Sequence, residues 1–111
     1  LVVVGDNDAD MFAAVTALEE CGGGYVVVRN GEVLAKLVLS VAGLMSDAPL
    51  ENILKHQHEL LAAAATLGIH TDSDPFITLS FIALPVIPDV RLTDMGLFDV
   101  TKMEFFEKEN G

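Results

Sequence analysis

Three aspartates near the start of the chain have the spacing of a calcium-binding loop. Asp6, Asp8 and Asp10 correspond to the first three ligand positions of such a loop. The pattern then fails, because Met11 stands where the loop needs a glycine for its sharp turn and Ala17 where it needs a closing glutamate. We therefore interpret the acidic cluster as the solvated N-terminus of a helix, where carboxylates interact favourably with the helix dipole.

Histidines and a cysteine are the other side chains that could bind a metal ion or act as a nucleophile. His56 and His58 lie two positions apart on a predicted helix, so their imidazoles point to nearly opposite sides and cannot share one ion. His70 stands alone in a predicted loop. Cys21 falls at the end of a predicted helix, where the dipole disfavours a thiolate, and we expect it to be a buried small hydrophobe. The sequence therefore predicts no catalytic residue and no metal ligand in this chain.

Carboxylates and hydroxyls on two predicted loops are the remaining candidates for a functional site. Ser46 and Asp47 precede the second long predicted helix, and Asp74 precedes a proline-bounded apolar stretch. Loops carry a large share of functional residues, but helix capping and turn formation explain these side chains equally well. We retain the three as loop candidates, although they do not supply a nucleophile, a base and an oxyanion donor.

The composition restricts the partners that the chain can have. Its 111 residues are the size of one domain, and we expect residues 1–111 to form a single domain. The net charge of −11 disfavours nucleic acid and anionic membrane surfaces as partners. One cysteine suits a reducing, cytoplasmic compartment, and no apolar run reaches the roughly 18 residues of a membrane span. The apolar fraction of 51% predicts either unusually dense packing or surface hidden against a partner.

The first half of the chain has the pattern of a strand, a helix and a β-hairpin. The predicted elements are a strand at 1–4, a helix capped by Asn7 or Asp6 and ended by the glycines at 22–24, and strands at 25–28 and 33–39. Asn30-Gly31 between the last two strands is the strongest short signal for a tight type I′ turn. We expect the strands at 1–4 and 25–28 to be parallel and joined by a right-handed crossover.

The second half has the pattern of a long helix, an uncharged stretch and a final hairpin. The predicted elements are a loop at 42–47 ending in helix-cap residues, a helix at 49–67, a short buried helix or strand at 76–84, strands at 90–93 and 97–100, and a fraying tail at 101–111. Together the elements predict an α+β fold. It is a mixed β-sheet with helices packed on it, in the order β-α-β-β-α-(α/β)-β-β.

The stretch at 75–88 contains no charged residue. Two prolines near its end each lack a backbone donor, which suits an edge or a loop better than a central strand. Apolar residues on such an exposed path usually mark a contact surface. We therefore predict that Val86 and Ile87 are interface residues, and that Phe81 and Leu84 face the core of the domain.

Four stretches of sequence are more specific than any of these candidate residues. They are Val2-Val-Val-Gly5 with Asn7-Asp-Ala-Asp-Met11, Gly22-Gly-Gly with Tyr25-Val-Val-Val28, Ala42-Gly-Leu-Met-Ser-Asp47, and the long segment from Asp74 to Val100. This succession resembles the C-terminal domain of the bacterial adenine deaminases of the amidohydrolase superfamily. The resemblance covers nearly the whole chain, in order.

The resemblance implies that the whole enzyme hydrolyses adenine to hypoxanthine and ammonia. It also implies divalent metal ions, manganese or iron, held by His and Asp ligands in a catalytic (β/α)₈ barrel that lies before this chain. The pair His56 and His58 does not match the barrel's His-x-His motif, so no metal or catalytic residue carries over to this chain.

The chain would then be a non-catalytic C-terminal domain whose partner is the barrel of the same polypeptide, in an enzyme expected to be a homo-oligomer. It could support the barrel, build a subunit interface or close over the active site. The alternative is a free-standing binding or oligomerisation module without catalysis. The chain opens inside an apolar run without an initiator methionine, and we interpret this as a start in mid-sequence, which favours the fragment.

Overall fold

The computed structural model describes residues 1–69 and 72–106, and the chain divides into two compact units. The N-terminal unit comprises Leu1 and Val3–Asp72, and the C-terminal unit comprises Val2 and Ser73–Gly111. Among the described residues, each unit contains helical structure and one small antiparallel sheet. The predicted α+β class is confirmed, whereas two antiparallel sheets replace the single mixed sheet that was expected.

The N-terminal unit consists of helix α1 (Asp8–Cys21), strands β1 (Gly24–Arg29) and β2 (Glu32–Val38), and helix α2 (Leu50–Thr66). Helix α1 begins after Asn7, whose side-chain oxygen accepts a hydrogen bond from the backbone N–H of Asp10 at 2.9 Å. It ends at Gly22, whose φ of 77° lies in the left-handed region that glycine adopts without steric cost. The sequence therefore predicted both ends of this helix correctly.

Strands β1 and β2 form the predicted hairpin. Arg29 pairs with Glu32, so Asn30 and Gly31 are the two turn residues, with φ angles of 54° and 77°. Two positive φ angles at these positions are typical of a type I′ turn, whose twist matches that of the strands. The register shifts after the Val28–Val33 pair, because Val27 pairs with Ala35 and leaves one extra residue on β2.

The core of the N-terminal unit lies between the hairpin and the two long helices. Helix α1 contacts mainly β1, and helix α2 contacts mainly β2. The helices contribute mostly small side chains, which allow close approach to the sheet. The buried apolar residues are Ala14 and Ala17 of α1, Val27 of β1, Ala35 and Leu37 of β2, Leu39 after it, and Leu60, Ala63 and Ala64 of α2.

The prediction of a strand at residues 1–4 is wrong. The described structure assigns no strand there, the sheet of the N-terminal unit has only β1 and β2, and Leu1 and Val4 are exposed. The parallel crossover predicted between 1–4 and 25–28 therefore does not exist. Four β-branched or apolar residues favour an extended backbone, but a strand also needs a partner for its N–H and C=O groups.

The C-terminal unit consists of the short helix α3 (Pro75–Ser80) and a sheet of strands β3 (Val90–Thr93), β4 (Gly96–Asp99) and β5 (Glu104–Phe105). The sequence left residues 76–84 open between helix and strand, and the structure is helical over the first part of that range. Strands β3 and β4 form the predicted final hairpin, with Thr93 opposite Gly96. Strand β5 was not predicted, since it falls in the charged tail that was expected to fray.

Packing in the C-terminal unit is concentrated beside β4. The rings of Phe98 and Phe105 meet edge to face, with centroids 5.0 Å apart. Val100 and Asp99 are the buried residues among those described in this unit. The prediction that Phe81 and Leu84 face the core is wrong, because both side chains are exposed. They follow a helix of only six residues, which is too short to fold an apolar face back onto a sheet of two- and four-residue strands.

Candidate functional site

An open depression with a volume of about 370 Å³ lies where the end of β2 faces the start of α2. Leu37, Val38 and Ile53 supply part of its apolar wall. Two of the residues singled out from the sequence, Ser46 and Asp47, lie in it, on the loop that joins the two elements. The polar side chains that line the depression are those of Lys36, Ser40, Ser46, Asp47, Asn52 and His56.

The loop candidates in this depression are held by short-range hydrogen bonds. Asp47 accepts a hydrogen bond from the Ser40 hydroxyl at 2.7 Å. This bond, and after it the backbone N–H of Asp47 itself, hold the pKa of the Asp47 carboxyl below its usual value. The Ser46 hydroxyl accepts from the backbone N–H of Ala48 at 3.2 Å. The sequence predicted that this loop ends in helix-cap residues, but neither side chain caps α2. The N-cap position is occupied by Pro49, which makes no side-chain hydrogen bond.

His56 does not complete a catalytic set with these residues. Its Nδ1 lies 3.1 Å from Glu59 Oε2, one turn further along α2. The Ser40 hydroxyl donates to the Asp47 carboxylate rather than to an imidazole, and His56 is paired with Glu59, which is not among the residues that line the depression; these are two separate pairs. A nucleophile activated by a base requires a direct bond between the two, which these pairs do not provide. The depression can therefore present hydrogen-bonding groups beside its apolar wall.

The acidic cluster at the start of the chain has a structural use that the sequence did not reveal. Asp10, in the first turn of α1, accepts hydrogen bonds from the backbone N–H groups of Asn30 and Gly31, at 3.0 and 2.6 Å. The Gly31 N–H contributes most, followed by the Asn7 side chain, to a pKa of the Asp10 carboxyl below its usual value. The side chain thus ties the start of α1 to the tip of the hairpin. The signal in the sequence was an aspartate in the first turn of α1, facing a tight turn twenty residues later.

Asp74 and the predicted interface pair lie in the C-terminal unit. Asp74 caps α3, accepting hydrogen bonds from the backbone N–H groups of Phe76 and Ile77 at 2.8 and 3.3 Å. Val86 is exposed, and Ile87 is half-buried. Both lie after Leu84, in the segment that connects α3 to β3.

Asp99 is a second structural carboxylate that sequence reasoning missed. One of its oxygens accepts hydrogen bonds from the Thr101 hydroxyl at 2.6 Å and from the backbone N–H groups of Thr101 and Lys102, both at 3.0 Å. The Thr101 hydroxyl is the main cause of a lowered pKa for this carboxyl. The signal was an aspartate two residues before a threonine, a common arrangement in turns. Asp99 shapes the turn between β4 and β5.

The described residues do not fit a metal ion. No group of three or more His, Cys, Asp or Glu side chains converges within residues 1–69 and 72–106. His70 lies outside the described residues. Cys21 is half-buried at the end of α1, and its thiol lies 3.5 Å from the carbonyl oxygen of Leu18. Over the same ranges, no helix has both the length and the apolar composition needed to cross a membrane.

These features define a small α+β chain whose polar side chains mainly shape turns and helix ends. A model of the protein family described as "Adenine deaminase C-terminal domain" matches residues 1–104. The chain belongs to that family, as its sequence suggested.

Several curated relatives of the chain carry the name adenine deaminase. That of Gluconobacter oxydans is 52% identical over 105 residues, and that of Nitratidesulfovibrio vulgaris is 53% identical over 106. The adenine deaminase of Halalkalibacterium halodurans is 46% identical over 109 residues. These matches cover 95–98% of this chain but only 18–19% of each relative. The chain therefore spans less than one fifth of the length of these relatives.

Proposed function

We propose that this chain is the non-catalytic C-terminal part of an adenine deaminase, which as a whole enzyme converts adenine and water to hypoxanthine and ammonia. The observation that supports this most directly is the family match over residues 1–104, together with relatives of that name at about 50% identity. The same match runs through both compact units, which supports treating residues 1–111 as one functional domain.

The catalytic groups of such an enzyme belong, in this proposal, to the remaining four fifths of the polypeptide. Hydrolytic deamination of a purine ring is assisted by divalent metal ions, for which we propose manganese or iron, bound outside this chain. Within the described residues, the carboxylates of Asp10, Asp47 and Asp99 already accept hydrogen bonds from a backbone N–H group of a turn or from hydroxyl groups of the chain itself. The enzyme is proposed to be cytoplasmic and a homo-oligomer, and neither nucleic acid nor a membrane is proposed as a partner.

The full-length enzyme allows a direct test of the proposal that the catalytic groups lie outside this chain. We expect it to release ammonia from adenine, and the combined replacement of Ser40→Ala, Asp47→Asn and His56→Gln to leave kcat within about tenfold of the unmodified enzyme. Removal of a true general acid or base costs roughly 10²–10⁴-fold. A loss in that range with an unchanged circular dichroism spectrum would place catalytic groups in this depression. Absence of adenine deamination by the unmodified enzyme would refute the proposed activity.

The stretch around Val86 and Ile87 is the proposed contact of the C-terminal unit with the catalytic barrel or with a second subunit. Val86 is 68% exposed, and the whole stretch from Pro75 to Pro88 is uncharged. The double substitution Val86→Asp and Ile87→Asp should leave the core of the isolated chain folded, because neither side chain is among its buried apolar residues.

In the full-length enzyme the same double substitution should weaken assembly or activity. Sedimentation velocity and adenine turnover measure the two effects. A matched control is Thr78→Asp on α3, which adds a charge in the same uncharged stretch. Unfolding of the isolated chain by the double substitution would show that the two side chains belong to its core.

A further inference from the structure

The loop between β2 and α2 contains a tightly bonded turn. Val41 and Met45 form an antiparallel bridge with N–H···O distances of 2.8 and 3.1 Å, and the Leu44 N–H donates to the Val41 carbonyl at 3.0 Å. Ala42 has a φ of 56°, a left-handed conformation that residues other than glycine rarely adopt. Strain of this kind persists only where the surrounding structure fixes the backbone, and it is concentrated at functional sites. The turn therefore holds its tip in one conformation.

The tip of this turn is apolar and exposed. Leu44 is 78% exposed and Met45 is 62% exposed, and Val41 beside them is also exposed. We call these three side chains the Leu44 apex. No charged residue lies between Val41 and Ser46. A turn that is fixed in conformation and presents large apolar side chains to water has the chemistry of a docking surface.

We propose that the Leu44 apex docks into an apolar recess on the remainder of the same polypeptide, an inference that rests on the proposed function. About four fifths of the length of each relative lies outside the region that this chain matches, which supplies the partner surface. Three side chains offer far less area than the roughly 800 Å² per partner that a stable dimer buries. So small a contact is effective when a covalent tether keeps both surfaces at a high effective concentration. The size of the apex thus favours the same polypeptide over a second copy.

The test is chemical labelling of single introduced cysteines in the full-length enzyme. Leu44→Cys places a thiol at the apex, and Lys55→Cys places one on α2 at a side chain that is 71% exposed. Both variants carry Cys21→Ser, so that the native thiol of this region does not react. Each protein is treated with a maleimide, natively and in denaturant, and modification of the peptide is followed by mass spectrometry.

We expect Leu44→Cys to react at least tenfold more slowly in the native enzyme than in denaturant. For Lys55→Cys, the native rate should lie within about threefold of the rate in denaturant. Native rates for Leu44→Cys equal to those in denaturant would overturn the proposal. Should Leu44→Cys fail to fold, Met45→Cys serves as the second variant with the same expectation. Protection that disappears on dilution would show a second copy as the occupant, and this also contradicts the proposal.

The labelling result is independent of turnover. An enzyme that fails to deaminate adenine but protects the thiol at position 44 would refute the proposed function and retain the docking of the apex. An enzyme that deaminates adenine but leaves this thiol fully reactive would refute the docking alone.

Discussion

The two units of this chain differ in how much of their apolar surface they bury themselves. Among the described residues, the N-terminal unit contains nine of the ten buried apolar side chains, while Val100 is the one in the C-terminal unit. Both units expose large apolar side chains, thirteen among the described residues of the N-terminal unit and twelve among those of the much shorter C-terminal unit. Those of the C-terminal unit lie along α3, the following turns and its sheet. They include Ile77, Phe81, Ile82, Val86, Leu92, Met95 and Met103.

The difference shows what each unit needs in order to be stable. The N-terminal unit has a hairpin with a helix on each of its strands, and these elements bury one another. The C-terminal unit has a six-residue helix and strands of two to four residues, and such short elements cannot form a sizeable core. We infer that the first unit is stabilised from within, and that the second depends on the remainder of the proposed full-length enzyme.

Matched leucine truncations in the two units should give the largest contrast. Leu60 is 1% exposed in α2, so Leu60→Ala should destabilise the isolated chain by roughly 2–5 kcal/mol, through lost burial and the cavity left behind. Leu92 is 72% exposed in β3, so Leu92→Ala should change stability by less than about 0.5 kcal/mol. Urea denaturation measures both. Equal losses at the two sites would show that the burial of Leu60 does not stabilise the N-terminal unit.

Glycine substitutions in the hairpin should give the next largest effect. Gly24 begins β1 with a φ of 141°, and a Cβ at this position would meet the carbonyl oxygen of Leu37 on the paired strand. Gly24→Ala should cost roughly 2–4 kcal/mol, since backbone strain and a backbone clash combine. Gly31→Ala is the control, because its Cβ would meet no atom within 4 Å and only the left-handed strain of about 1–2 kcal/mol remains. If the two variants unfold at the same urea concentration, the close approach of the Leu37 carbonyl to Gly24 adds nothing to the loss of stability.

The smallest effect expected is the acid dependence carried by Asp10 and Asp99, one in each unit. Hydrogen bonds hold both carboxyl pKa values in the folded chain below the ordinary value of 3.8. A lowered folded pKa contributes stability that is present above pH 3.8 and is lost as the pH falls through the folded pKa. Asp10→Asn should therefore flatten the decline of the urea midpoint below pH 3.8. An unchanged slope in this variant would show that the bonds to the hairpin turn do not favour the ionised carboxylate.

Local signals in the sequence predicted most of the elements. Asn7, Gly22 and Asn30-Gly31 each fix backbone conformation through their own side chain or through its absence, so the ends of α1 and the hairpin turn could be predicted. The strand at 1–4 failed because pairing depends on a partner that no local pattern specifies. Helix α3 was left undecided because a short apolar run has the same composition in a helix and in a strand.

The candidate site was predictable only in part. The sequence selected Ser46 and Asp47 as loop residues, but it gave no sign that Ser40, seven residues before Asp47, would donate to that carboxylate. The bond from Asp10 to the hairpin turn likewise joins groups about twenty residues apart. Such contacts depend on how elements pack, which residue types and their spacing alone do not determine.

Hydrogen–deuterium exchange, compared between the isolated chain and the full-length enzyme, tests the central claim most directly. Amides of β1 and β2 should slow by no more than about tenfold in the full-length enzyme, because the N-terminal unit supplies its own core and only the Leu44 apex is proposed to gain a contact there. Amides of residues 76–87 and of β3 and β4 should exchange at least roughly 100-fold more slowly in the full-length enzyme, a stabilisation of about 2.7 kcal/mol from partner contacts. Unchanged exchange of the C-terminal unit between the two proteins would contradict the account.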